Sequence, residues 1–207
     1  MNIGVFASGR GSNFQAILNA IQRGILPARV TLLLSNRFDA GALEVARSNG
    51  IPTIHISQKQ FSDEASLAAR MLEVLKEHDV HLIALAGYLK KIPTAVVRAY
   101  RNRILNIHPA LLPSFGGPGM YGHHVHEAVL ASGVKLSGAT VHIVDEEYDR
   151  GPIVIQRTVP VDEHDTPETL AAKVLKIEHE IYPQALKAFA ENRVLMKEGS
   201  VWIHSHN

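Results

Sequence analysis

The chain has 207 residues, 46% of them hydrophobic and 20% charged, the balance of one soluble domain and not of a disordered or fibrous chain. Lys and Arg number 21 against 20 Asp and Glu, a formal charge of +1, so the long-range field that gathers nucleic acid or an anionic membrane is missing and small-molecule partners are expected. With no Cys, a disulfide scaffold, a thiolate metal site and a Cys nucleophile are excluded, and a reducing cytoplasm fits.

Residues 1–6 lack a basic region followed by a long apolar core, which predicts no signal peptide. The longest apolar stretches, at 82–86 and 153–155, fall far below the roughly 20 residues of a bilayer span. From the start, short apolar runs at 3–7, 30–35, 53–56, 82–85 and 104–107 read as strands, each nearly all apolar because both faces would be covered. Between them, helices are expected at 12–21, 41–48 and 63–77, the last carrying Leu67, Met71, Val74 and Leu75 at helical spacing. This alternation predicts an α/β fold: a doubly wound, mostly parallel sheet flanked by helices.

Residues 111–122 are too rich in Gly and Pro for regular structure and predict a long loop. A helix at 124–131 follows, then strands at 138–144 and 152–161 joined by the acidic turn 145–151, an antiparallel C-terminal extension of the sheet. The final helix is expected over 166–192, kinked or broken at Pro183, which lacks an amide hydrogen. No linker or repeat divides the chain, so a single domain over 1–207 is expected.

Ser8-Gly9-Arg10-Gly11-Ser12-Asn13 ends a strand and opens a helix, where unpaired amides attract an anion such as phosphate. An ordinary tight turn with a helix cap is the alternative. NAD is disfavoured, because the third fingerprint glycine is absent and the second strand ends in Ser35-Asn36-Arg37 without a ribose-binding acid. Asn106 and His108 alternate onto one face at the end of the fifth strand, an amide donor beside a proton carrier, as acyl transfer requires. Asp149 closes the acidic turn and could raise the His108 pKa, or be no more than a solvated turn residue. The His123-His124-Val125-His126 run completes no zinc pattern, and no metal is expected.

Taken together, Ser8-Gly9-Arg10-Gly11-Ser12-Asn13, Leu85-Ala86-Gly87-Tyr88, the run from Leu105 through Asn106, Ile107, His108 and Pro109 to Pro113, Gly138-Ala139-Thr140-Val141-His142, Asp149-Arg150-Gly151-Pro152 and Glu178-His179-Glu180-Ile181-Tyr182-Pro183 resemble the formyltetrahydrofolate-dependent formyltransferases, over nearly the whole chain. The resemblance implies their Rossmann-like fold, with residues 1–107 as the half that binds a nucleotide phosphate and 108–207 as the folate-binding and catalytic half. It also implies transfer of the formyl group of 10-formyltetrahydrofolate, the cosubstrate, to the amine of glycinamide ribonucleotide, without a metal, in a cytoplasmic monomer or homodimer. By the same resemblance, Asn106 would hydrogen-bond the formyl oxygen, His108 would be general acid, and Asp149 would raise the His108 pKa. Gly11, Ser12 and Asn13 would take the phosphate and Glu178 the ribose or glycinamide end. Leu89, Lys90, Lys91 and Ile92 would line the folate pocket, with Asn106, Val144 and Asp145 also meeting the folate.

Two departures accompany the resemblance. The 114–126 loop is longer than in the shorter members, which leaves open which of His123, His124 and His126 approaches the site. A basic residue that meets the folate tail in some relatives is replaced by Glu64, with Lys59 or Lys90 as substitutes. The competing functions are a formyltetrahydrofolate hydrolase, which usually carries an added domain, and a methionyl-tRNA formyltransferase, which needs an RNA-binding domain and basic surface. From other classes come an NAD(P)-dependent oxidoreductase and a non-catalytic nucleotide sensor.

Overall fold

The computed structural model describes residues 1–205. It divides into two compact units, residues 1–105 and the chain from Asn106 onward. In the first unit the strands are β1 (Asn2–Phe6), β2 (Arg29–Ser35), β3 (Thr53–His55) and β4 (Leu82–Leu85), with β5 (Ile104–His108) beginning at its end. The order β3-β2-β1-β4 is parallel throughout, since β1 pairs with both β2 and β4 and β2 with β3. Helices α1 (Ser12–Gln22), α2 (Gly41–Ser48), α3 (Glu64–Glu77) and α4 (Thr94–Ala99) join the strands. Ile3, Val5, Phe6, Leu32, Leu33 and Leu34 are fully buried, as two covered sheet faces require.

The chain runs from β1 outward to β2 and β3, then returns to place β4 on the other side of β1. Ligands of open α/β sheets gather at such a reversal, outside the strand C-termini. There the Ser8 amide donates to the Gly87 carbonyl at 3.0 Å, and Ser8 Oγ accepts from the Leu89 amide at 2.9 Å while donating to Asn36 Oδ1. The loops after β1, β2 and β4 are therefore pinned to one another.

In the second unit the order is β5-β6-β7, with β6 (Leu136–Ile143) antiparallel to β7 (Ile153–Pro160). Helix α5 (His123–Ala131) precedes β6, and α6 (Pro167–Ala190) follows β7 under a Thr166–Thr169 capping box. A further antiparallel pair, β8 (Val194–Lys197) with β9 (Ser200–Ile203), forms its own two-stranded sheet.

The expected fold class is the observed one: mostly parallel strands flanked by helices, with antiparallel strands toward the C-terminus. Helix α6 differs from expectation in two respects. It is continuous through Pro183, so the break named beside a kink does not occur. A helix-interior proline costs about 3 kcal/mol, but Ile181, Tyr182 and Leu186 beside it are fully buried, and burial of each large apolar side chain contributes roughly 1.5–3 kcal/mol. Packing therefore outweighs the lost hydrogen bond. The 24 residues assigned to α6 also replace the expected end at Asn192. Among the described residues, no helix is long and apolar enough to cross a membrane.

Candidate active site

The loop after β1 ends at Gly11, whose φ of 87° is left-handed. A β-carbon there would stand 2.9 Å from Ala42 Cα, so both backbone and space demand glycine. Gly11 caps α1 without any side-chain cap bond. Its position opens the first helical turn, with Ser12 exposed and Asn13 buried, and helix N-termini are where backbone amides attract anions. Beyond β4, Leu89, Lys90 and Lys91 are exposed and Ile92 is in the core. Glu64 Oε1 accepts from the Thr94 amide at 3.2 Å, so Glu64 caps the start of α4. Lys59 is exposed on a short 3-10 turn.

In the second unit, alternation along β5 puts Asn106 and His108 into one polar cluster with His142 of β6 and Asp149. His108 Nε2 lies 2.8 Å from the Phe115 carbonyl, which only accepts, so this nitrogen donates. His108 Nδ1 lies 3.7 Å from Asp149 Oδ2, within ion-pair range but too long for a direct hydrogen bond. The other carboxylate oxygen, Oδ1, lies 3.5 Å from His142 Nε2, and Asn106 Nδ2 lies 3.0 Å from the same nitrogen. The Gly117 amide donates to Asp149 Oδ2 at 2.9 Å.

The backbone supports this arrangement at two levels. Asp149 adopts a left-handed φ of 54°, which aims its carboxylate back over the turn. A β-carbon on Gly151 would meet the Ile143 carbonyl oxygen at 1.9 Å, so only glycine lets the end of the acidic turn close on β6. Beneath the cluster, Thr140 Oγ1 donates to the Ala110 carbonyl and accepts from the Leu112 amide and Gln156 Nε2. That node fixes the run after His108 against β6.

At His108, burial and Asp149 act in opposite directions. Burial is the largest influence on His108 and holds its pKa below the ordinary histidine value, although Asp149 and the Phe115 carbonyl pull it upward. Asp149 thus acts in the expected direction without winning. For Asp149, burial pushes upward, but His142, the Gly117 amide and His108 together leave it below the usual carboxylate range. The resting cluster is a neutral His108 beside an ionised Asp149.

Of the three histidines after the loop, His126 is buried and its pKa is pushed down to about 4, by burial first and then by His123 and His108. His123 instead meets Glu168 at 2.8 Å and His124 meets Glu127 at 3.3 Å, both on exposed surface. Val144 and Asp145 follow β6, where Asp145 Oδ1 accepts from the Glu147 amide. Glu178 is buried on α6. His142 has no role in the sequence reading beyond its place in a quoted run.

Residues 1–186 match the family model for formyl transferase. The chain is 44% identical over 199 residues to a protein of Vigna unguiculata named phosphoribosylglycinamide formyltransferase, chloroplastic, covering 96% of this chain and 64% of that protein's own length. Against the Bacillus subtilis phosphoribosylglycinamide formyltransferase, identity is 40% over 183 residues, covering 88% of this chain and 91% of that one. The crystal structure of glycinamide ribonucleotide transformylase 1 from Symbiobacterium toebii superposes with a TM-score of 0.93 at 40% identity, covering 99% of this chain and 94% of the other. On sequence and fold alike, the chain belongs to the formyl transferase family.

Proposed function

We propose that the chain transfers the formyl group of 10-formyltetrahydrofolate to the amine of glycinamide ribonucleotide, giving formylglycinamide ribonucleotide and tetrahydrofolate. The observation that carries this reading is the cluster of half-buried Asn106 and Asp149 with buried His108 and His142, in a chain whose relatives bear that enzyme's name. A carboxamide donor and a proton carrier backed by a carboxylate suit acyl transfer to an amine, which needs no metal and no covalent intermediate.

In this reading the amine attacks the formyl carbon, and Asn106 Nδ2 donates to the oxygen as it gains charge. One such donor supplies roughly 2.7–4 kcal/mol. Once Nε2 is released from the Phe115 carbonyl, the hydrogen of the neutral ring moves to Nδ1 against Asp149, and the bared Nε2 accepts the proton released by the attacking nitrogen. Asp149 steadies the resulting imidazolium, and the proton then passes to folate N10 as the carbon–nitrogen bond breaks. His108 is thus base and then acid. Its Nε2 reaches substrate only after the Phe115 carbonyl gives way.

Gly11, Ser12 and Asn13 serve the nucleotide phosphate in this proposal, and Glu178 its ribose or glycinamide end. Leu89, Lys90, Lys91, Ile92, Val144 and Asp145 serve the folate. The halves 1–107 and 108–207 carry phosphate binding and folate chemistry respectively. A cytoplasmic monomer or homodimer belongs to the same proposal.

Incubation with both substrates, followed by separation of products, tests the function. Formylated nucleotide and tetrahydrofolate are expected in equal amounts; formate without formylated nucleotide makes the protein a hydrolase. Asp149→Asn should cut kcat by about a hundredfold or more while nucleotide Kd changes little, since asparagine keeps the shape and loses the charge that steadies imidazolium. A kcat within a few fold of wild type withdraws Asp149 from the mechanism.

A further inference from the structure

His142 stands between two of the residues assigned to the chemistry, and its own hydrogen bonds decide its tautomer. Nδ1 lies 3.0 Å from the Ile143 carbonyl oxygen. A carbonyl only accepts, so Nδ1 carries the hydrogen, and in the neutral ring Nε2 is a bare acceptor. That acceptor faces Asn106 Nδ2 at 3.0 Å, a group that only donates. One N–H of Asn106 is therefore committed to His142, which fixes the amide plane and leaves the second N–H and Oδ1 available.

The same nitrogen lies 3.5 Å from Asp149 Oδ1. A proton on it would make Nε2 a donor aimed at the carboxylate, and would set donor against donor at Asn106. The groups facing the ring are Asn106 and His108 from β5 and Asp149 from the acidic turn. His142 is 2% exposed, so its ring nitrogens rely on these partners and not on bulk water. The strand is shaped for this role: the β6–β7 register shifts between Val141 and His142, and such an irregularity re-aims a side chain.

We infer that His142, with Nδ1 donating to the Ile143 carbonyl and Nε2 accepting from Asn106, is a positioning residue that turns the Asn106 amide so that its remaining N–H meets the formyl oxygen. The inference rests on the formyl-transfer reading and adds a residue to it. His142 does not touch substrate; it acts through Asn106.

The test combines kinetics with a direct view of the ring. Replacing His142 by Phe removes the acceptor, whereas Gln retains a carbonyl oxygen at similar reach. His142→Phe is expected to lower kcat about a hundredfold, the scale of losing one oxyanion donor, with KM for both substrates within about threefold; His142→Gln should recover at least tenfold of that loss. The double variant Asn106→Ala/His142→Phe should be no slower than Asn106→Ala alone, because the pair acts as one unit. Losses that multiply, or equal losses in the Phe and Gln variants, overturn the inference.

Nitrogen-15 NMR of the histidine rings in wild-type protein at neutral pH reads the tautomer without relying on a variant that folds. A His142 signal showing hydrogen on Nδ1 is expected, and hydrogen on Nε2 or on both nitrogens overturns the inference. If wild type makes no formylated nucleotide, the function fails while the NMR result still judges the tautomer.

Discussion

Gly11 in the loop after β1 is trapped, with Ala42 2.9 Å from where its β-carbon would be, whereas Gly117, Gly119 and Gly122 in the loop after β5 also have positive φ but nothing within 4 Å of that position. The first loop is tied through Ser8 to the loops after β2 and β4. The second is tied to the reacting groups themselves, Phe115 to His108 and Gly117 to Asp149. The same residue type therefore does two jobs. In the first loop, glycine permits a left-handed backbone closed against Ala42; in the second it stands in open space.

The largest effect is expected at Gly11. Gly11→Ala strains a left-handed backbone and drives a methyl into Ala42, so nucleotide KM should rise tenfold or more, about 1.4 kcal/mol, with kcat at saturation within a few fold. Unchanged KM would mean that the phosphate sits elsewhere.

A change of pH should sharpen the difference between the two loops. Unfolded His126 titrates near 6.5 and the folded residue near 4, so between these values the unfolded chain binds more protons and stability falls as pH drops. Above about 6.5 His126 contributes no slope. Residues 1–54 contain no histidine. Hydrogen exchange at pH 5 against pH 7, corrected for intrinsic rates, should show lost protection in α5 and the loop before it, with α1 little changed. His126→Phe should remove that loss.

The smallest effect belongs to Gly119→Ala. With open space around it, only the backbone penalty remains, about 1–2 kcal/mol, so Tm should fall by roughly 2–8 °C and kcat by less than twofold. A large loss of activity would show that the second loop needs its own fixed geometry, as the first does.

The regularities that carry over from sequence to structure are those that repeat. The apolar spacing of Leu67, Met71, Val74 and Leu75 marks α3, and Asp63 caps it through the Ser66 amide at 2.7 Å. Helix α4 escapes because six residues starting after Pro93 are too few to show a period. The β8–β9 hairpin carries a sign that was readable, Glu198-Gly199 with positive φ at both positions between apolar-containing strands. At the site, Asn106 and His108 are legible from alternation on one strand. His142 is not, because one histidine among twelve acquires meaning only when β6 brings it to Asn106. The depressed His108 pKa was equally hidden, since it depends on burial and not on which charged residue is near.

Asp149 occupies a backbone conformation that glycine or asparagine adopts at lower cost. Laboratory evolution that rewards heat resistance while ignoring turnover is accordingly expected to enrich exchanges at this position. Either exchange abolishes the negative charge, so survivors of such a screen would be folded, durable and nearly inert.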